Sequence, residues 1–309
     1  MNLLATDCRI GVVIPTRGRA QLALRAVRSV LAQSHADLEL VVVVDGPDEV
    51  TLAALAAVDD PRLRVESVSQ RGAAAARNTG FDLISANWIA FLDDDDTWCA
   101  EKLEVQLSLA LNCGVTLPVV ACRTLKVTRK GGSPYPARMP RPNEPVSEFL
   151  FAPGWRLARG GGAQTSTLLV PREVFEQVRF DEALPRHQDW DWLLRAVQLP
   201  GVELVVAPQI LAEWDQYSAP QRISGPYDWR YSFDWIRQRY GLVTGRAYAG
   251  FLLTVIPVSA ARGGSSAKVF LQLFKEAWRG RPDPMQLLIF MGWWLLPDKL
   301  IRWVGCVSK

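Results

Sequence analysis

The sequence contains no Cys-x-x-Cys pair. Its five cysteines (Cys8, Cys99, Cys113, Cys122, Cys306) are scattered and odd in number, which argues for a reducing compartment and against a structural zinc site. No apolar run reaches the roughly 18 residues that cross a bilayer. The opening MNLLATDCRIGVVIP has no basic segment ahead of a long apolar one, so no signal peptide is expected and the chain is read as cytoplasmic. Neither sign of charge dominates. A net charge of +3 is too small to indicate a nucleic-acid partner. No Gly-x-Gly-x-x-Gly follows the first β-branched run, which excludes the nicotinamide fingerprint. What remains is a folded chain of 309 residues, 49% hydrophobic and 22% charged. That is room for one large α/β domain with an appendage, or for two domains.

The feature around which the chain is organised is Trp88-Ile89-Ala90-Phe91-Leu92 followed by Asp93-Asp94-Asp95-Asp96. An apolar run of strand length reads as a strand buried on both faces. The acids then stand at its C-terminal end, the edge where open α/β sheets bind ligands. Adjacent carboxylates repel one another, a cost relieved by protonation, by water or by a cation. Oxygen-only donors suit Mg2+ or Mn2+, which share their other positions with waters and substrate phosphates. An isolated acidic run can equally be a solvated turn, so the flanking sequence decides.

Residues 10–14 form a first strand closed by Pro15-Thr16-Arg17-Gly18-Arg19, and 21–32 a helix with Leu22, Ala26 and Val30 on its buried stripe. A second strand at 38–44 ends at Asp45-Gly46. A helix near 49–58, a short strand at 62–65 and an Ala-rich helix over 72–85 lead to the central strand. Alternating strands and helices predict a parallel sheet with right-handed crossovers. The loops after the strands then lie along one edge and carry Thr16, Arg17, Arg19, Asp45 and Asp93 to Asp96. Gly72 leaves helix N-terminal amides free for an anion. A helix at 101–111 follows, then strands within 118–128, an aperiodic loop over 129–145, a flexible Gly160-Gly161-Gly162, and a strand at 164–170. Pro171 opens a helix. In Arg186-His187-Gln188-Asp189-Trp190-Asp191-Trp192 the acid Asp189 falls in the first turn of a helix, where the dipole favours it; the bland reading is a helix-start acid with Trp190 and Trp192 in the core. Short strands at 202–206 and 210–214 finish the domain, and the rest is helical.

Between 262 and 309 the basic residues Arg262, Lys268, Lys275, Arg279, Arg281, Lys299, Arg302 and Lys309 outnumber Glu276, Asp283 and Asp298. Apolar stretches too short to span are interleaved with Trp278, Trp293, Trp294 and Trp303. That pattern fits a helix lying in a membrane interface, or else a helical subdomain or homodimer contact.

Together the motifs resemble family 2 glycosyltransferases of the GT-A fold, over roughly 9–214. The resemblance is carried by Val13-Ile14-Pro15-Thr16-Arg17-Gly18-Arg19, Val44-Asp45-Gly46, the Arg71-Gly72 to Arg77-Asn78 helix start, Phe91-Leu92-Asp93-Asp94-Asp95-Asp96 and His187-Gln188-Asp189-Trp190. It implies an α/β, GT-A type, Rossmann-like domain over 1–224. A mostly parallel central sheet is flanked by helices, with a nucleotide-sugar half at about 1–115 and an acceptor half at about 116–224. A helical C-terminal extension, 225–309, would follow. It also implies inverting transfer of a sugar from a nucleotide diphosphate, a UDP-sugar being favoured, to a glycan or lipid-linked glycan in surface polysaccharide or glycolipid synthesis. Pro15, Thr16, Arg19, Asp45, Arg71, Arg77, Asp93 and Asp94 would hold the donor, with Asp45 on the base. Asp95 and Asp93 would hold a divalent metal, Mg2+ or Mn2+, and Asp189 would be the catalytic base. Gln188 stands where the family commonly has Glu, which removes a supporting carboxylate. Two rivals remain. A sugar-phosphate nucleotidyltransferase needs a better Gly-rich basic loop than Pro15-Thr16-Arg17-Gly18-Arg19. A scaffold that has lost catalysis would keep the fold without the chemistry.

Overall fold

A computed structural model describes residues 8–128, 131–152, 161–215, 229–260 and 267–295. In chain order the elements are β1 (Ile10–Thr16), α1 (Ala20–Leu31), β2 (Leu38–Asp45), α2 (Glu49–Ala56), β3 (Leu63–Val68), α3 (Ala73–Asp82), β4 (Trp88–Phe91), β5 (Asp96–Trp98), α4 (Lys102–Asn112), β6 (Leu117–Thr128) and β7 (Gly131–Tyr135). They continue with α5 (Val146–Phe151), β8 (Leu169–Pro171), α6 (Arg172–Gln177), α7 (Gln188–Ala196), β9 (Val202–Asp215), α8 (Trp229–Gln238), α9 (Gly245–Gly250), α10 (Pro257–Ala260), α11 (Ala267–Ala277) and α12 (Pro284–Leu295). The strands form one mostly parallel sheet in the order β3-β2-β1-β4-β8-β6-β9-β5, with β7 added to β6. β3, β2, β1 and β4 run parallel, and β8 turns antiparallel against β4.

The two faces of this sheet are covered separately, which is why its central strands β1, β2 and β4 are buried almost throughout. Val12, Ile14, Leu40, Val42, Val44, Trp88 and Ala90 pack with Ala26, Val27 and Val30 of α1 and Leu103 and Leu107 of α4. The alternate residues face the other way. Val13 and Val43 meet α3 at Gly80, where an added Cβ would lie 2.3 Å from a Val13 methyl, so only glycine permits that approach. Phe91 joins Phe81, Phe175 and Phe180 on the same side, with ring centroids 4.8–5.5 Å apart. Trp192 of α7 completes this aromatic layer and donates its indole N–H to the Val178 carbonyl at 2.7 Å. Burial of these large rings fixes α7, and with it Gln188 and Asp189, on the sheet.

Several expectations from sequence need correction. Within 129–145, Gly131–Tyr135 is not loop but strand β7 against β6. The strand expected at 164–170 is a 3₁₀ turn, Thr165–Thr167, before the short β8. The strands expected at 202–206 and 210–214 are one strand, β9. Cys122 pairs with Ala207 and Arg123 with Ile210, so exposed Pro208 and Gln209 form a bulge that keeps the ladder running.

The chain divides into two compact units, 1–134 with 163–221 and 135–162 with 222–309. The second unit is helical. Phe251 is stacked edge-on against Phe151 at 5.0 Å, so α5, far upstream in sequence, belongs to the core of the C-terminal helices. The basic and aromatic residues Arg262, Lys299, Arg302, Trp303 and Lys309, Cys306, and Gly160 of the glycine run, lie outside the described residues; the four described cysteines are free.

Candidate active site

Parallel β1, β2 and β4 bring the ends of three strands to one rim. Pro15 and Thr16 close β1, in register with Val43 and Val44 of β2. Thr16 donates its hydroxyl to Asp94 Oδ2 at 2.8 Å, and Arg19 reaches Asp94 Oδ1 at 3.0 Å and Asp95 Oδ2 at 3.3 Å. The loop after β1 therefore grips the acidic turn after β4. Burial pushes the Asp94 carboxyl up to about 6, with Asp95 and Asp93 adding to the rise and Arg19 and Thr16 opposing it.

Asp45 ends β2 and accepts from the backbone N–H of Arg71 at 2.7 Å and of Gly72 at 2.9 Å. It thereby shapes the turn that opens α3, where Gly72 has φ of 97°, a region open to glycine without penalty. The Arg71 side chain turns away from the acids to pair with Glu182. Asn78 anchors the same downstream segment, exchanging hydrogen bonds with the Phe180 backbone at 3.0 and 3.1 Å.

Arg77, buried in α3, links the two halves of the site. One nitrogen pairs with Asp93; the other donates to Gln188 Oε1 at 3.0 Å. Gln188 in turn donates to the Leu184 carbonyl at 2.7 Å. The glutamine thus orients the guanidinium without neutralising it. Next to it, Asp189 accepts from the Trp190 N–H at 2.9 Å. Burial raises its carboxyl to about 6; the Trp190 N–H and Arg77 oppose the rise and the Asp93 charge adds to it. His187 precedes α7 with a left-handed φ of 62°, a conformation that clusters at functional sites. Its ring stacks on Trp190 at 5.0 Å, and burial depresses its pKa to about 3, so it is neutral.

One carboxylate oxygen from each of Asp93, Asp95 and Asp96 lies within 4.8 Å of the others. Asp96 is the member that sequence reasoning left out. Its Oδ2 accepts from Ser166 at 2.6 Å, and its buried Oδ1 has no hydrogen-bond partner. Burial raises its pKa well above the usual carboxylate range, and the charges of Asp93 and Asp95 add to this. An orphaned, desolvated oxygen among carboxylates fits a hard divalent cation, which takes oxygen donors. Two further residues hold the turn. Ser166 accepts from the Asp93 N–H at 3.1 Å, and Arg25 of α1 donates to the Asp95 carbonyl at 2.6 Å and to Asp215 at 3.2 Å. Nothing in the sequence near the acids signals either one.

Residues 11–156 match the family described as Glycosyl transferase family 2. The amylovoran biosynthesis glycosyltransferase AmsB of Erwinia amylovora is 26% identical over 86% of this chain and 89% of its own. The putative colanic acid biosynthesis glycosyl transferase WcaA of Escherichia coli is 28% identical over 76% and 86%. An E. coli UDP-Glc:alpha-D-GlcNAc-diphosphoundecaprenol beta-1,3-glucosyltransferase, WfgD, is 33% identical over 36% of this chain and 44% of its own. Among solved structures, S. aureus TarS 1-349 in complex with UDP-GlcNAc has a TM-score of 0.55 at 14% identity, over 88% of this chain and 72% of that one. The mannosyltransferase PcManGT of Pyrobaculum calidifontis, in complex with GDP-Man and Mn2+, has a TM-score of 0.51 at 19% identity, over 97% and 76%. The fold is thus that of GT-A glycosyltransferases, and residues 11–156 are similar to glycosyltransferase family 2.

Proposed function

We propose that this transferase moves a sugar from a UDP-sugar to a hydroxyl of a lipid-linked glycan, with inversion, during polysaccharide assembly in the cytoplasm. The carrying observation is the Arg77 bridge, which joins Asp93 of the acidic turn to Gln188 beside Asp189. The acidic turn and a carboxyl with a raised pKa are thereby brought within reach of one guanidinium, which supports this reading. The donor class is supported by the nucleotide-sugar complexes of the structural neighbours. The acceptor class is supported by the diphosphoundecaprenol acceptor in the name of one relative, and the setting by the polysaccharides in the names of two others.

In this reading Asp45 accepts a hydrogen bond from the base while keeping its two backbone donors, since a carboxylate has lone pairs for both. Pro15, Thr16 and Arg19 line the nucleotide side, with Asp94 locked to them. Asp93, Asp95 and Asp96 would hold a divalent cation, which supplies positive charge against the leaving diphosphate. Arg77 adds fixed positive charge, and Arg71 reaches the donor only by leaving Glu182. Asp189 takes the proton of the acceptor hydroxyl as its oxygen attacks the anomeric carbon and the bond to the nucleoside diphosphate breaks. A carboxyl raised to about 6 is still ionised at neutral pH, yet is basic enough to accept that proton.

The test is Asp189→Asn, assayed for UDP release with acceptor and for donor affinity by calorimetry. Turnover falls by about 10²–10⁴-fold, the range for a general base, while donor affinity stays within about twofold. Unchanged turnover removes Asp189 from the role. Release of pyrophosphate from a nucleoside triphosphate would instead identify a nucleotidyltransferase.

A further inference from the structure

Within the second unit, α11 and α12 form a hairpin tied by stacked rings: Phe270 on Phe290 at 4.8 Å and Phe270 edge-on to Trp294 at 5.5 Å. Buried Phe290 and Trp293 line its inner side. Its outer side is also apolar. Leu271 is 50% exposed, Trp278 54%, Leu288 61% and Leu295 69%.

These positions are in phase. On α11 the exposed stripe is Lys268, Leu271, Lys275 and, in the following turn, Trp278, at spacings that share one helix face. On α12 it is Leu288, Met291 and Leu295, and that helix carries no charged residue at all. A helix apolar all round belongs in a core or in lipid. At 12 residues it extends only about 18 Å, and no helix among the described residues is long and apolar enough to cross a membrane.

The charges on the hairpin choose the occupant. Both of its described acids are used up inside the unit. Glu276 accepts from Tyr248 at 2.6 Å and from Arg279 at 2.9 Å. Asp283 accepts from Arg246 at 2.9 Å. The outward charge is therefore basic: Lys268 and Lys275 lie on the same stripe as Leu271, and Arg281 is exposed in the turn between the helices. A two-fold contact with a second copy would set that basic stripe against itself, with no acid in it to answer. An anionic lipid headgroup answers it directly, with the leucines entering the acyl boundary and Trp278 at headgroup level. We propose that the α11–α12 hairpin docks flat on an anionic phospholipid leaflet. The proposal is independent of the donor and base assignments.

The test is co-sedimentation of the full chain with vesicles of equal parts phosphatidylglycerol and phosphatidylcholine, and with phosphatidylcholine alone. The chain binds the anionic vesicles at least tenfold more tightly than the neutral ones, and high salt reduces this binding. The exposed double variant Leu288→Glu/Leu295→Glu loses binding at least tenfold, and Lys268→Glu/Lys275→Glu loses the preference for anionic lipid, both with unchanged melting temperature and UDP affinity. Wild-type chain that stays in the supernatant with both vesicles overturns the proposal, as does undiminished binding by the leucine variant. A wild-type dimer in ultracentrifugation that the leucine variant converts to monomer, without vesicle binding, assigns the face to a second copy instead.

Discussion

The rim of the sheet and the α11–α12 hairpin break the usual partition of residues in opposite directions. At the rim, carboxylates and guanidiniums are taken out of water: Arg77, Asp94 and Asp96 are all buried. On the hairpin, leucines and a tryptophan are left in it. The first arrangement costs desolvation, offset by cross-pairing through Thr16, Arg19, Arg77 and Ser166. The second forgoes hydrophobic burial, at about 25 cal/mol for each Å² left exposed. Neither helps the isolated chain fold. On the proposals above, each is explained by something that binds there: a cation and a diphosphate at the rim, a lipid surface at the hairpin.

The sharpest way to test the hairpin half of that comparison is to remove one residue from each of its sides. Phe290, wholly buried against the rings of Phe270 and Phe274, is a core residue. Phe290→Ala should destabilise by about 3–5 kcal/mol. Leu288, two positions away and mostly exposed, should tolerate Ser with a change within about 0.5 kcal/mol. Urea melts of the full chain read both. Equal losses would mean that Leu288 is covered by something in the folded monomer.

At the rim, the corresponding test separates fold from site by charge. The raised Asp96 carboxyl makes a stabilising contribution that is complete below the ordinary carboxylate pKa and is lost as pH rises through its higher folded value. Asp96→Asn mimics the protonated form. In EDTA at pH 8 the variant should therefore melt about 2–4 °C above wild type, the shift that ~1 kcal/mol makes in a unit the size of the first, which holds Asp96. The difference should shrink toward pH 5. Manganese should raise the melting point of wild type at pH 8 more than that of the variant. His187 works in the opposite sense, because its depressed pKa favours the fold above the unfolded histidine value and loses that contribution on acidification. Comparing variant with wild type at each pH cancels this background. A variant that melts below wild type at pH 8 would show Asp96 to be a structural hydrogen-bond acceptor rather than a frustrated charge.

The two regions were not equally legible. Strand β4 was readable because burial on both faces leaves an unbroken apolar run, and the helix start at Gln188 because an acid and a pair of tryptophans mark it. The residues that hold the acidic turn were not. Ser166 and Arg25 arrive from segments with no motif, and their roles depend on how β8 and α1 pack. Four consecutive aspartates carry no sign of which one pairs with Thr16 and Arg19, here Asp94, and which one joins Asp93 and Asp95, here Asp96. Gly131 to Tyr135 has two glycines and a proline and no strand period, yet β6 supplies a ladder that overrides the propensity. The membership of α5 in the helical unit is a tertiary fact that no local pattern encodes.

The smallest predicted effect concerns Gln188, where the chain departs from the pattern of the family it resembles. The amide orients Arg77 through one hydrogen bond and leaves its charge to Asp93 and to the field at Asp189. Gln188→Glu would add a negative charge beside the guanidinium and one residue from Asp189, the proposed base. Arg77 then stabilises ionised Asp189 less, and the new carboxylate repels it, so the Asp189 pKa rises from about 6. If Asp189 is the base, it works only when ionised, so the acidic limb of the kcat–pH profile, falling below about 6 in wild type, should move upward by roughly half a unit with little change on the plateau. A downward move would mean that the glutamate captures the guanidinium and drags it away from Asp93 rather than sharing it. An unmoved limb would mean that the group titrating there is not the residue next door.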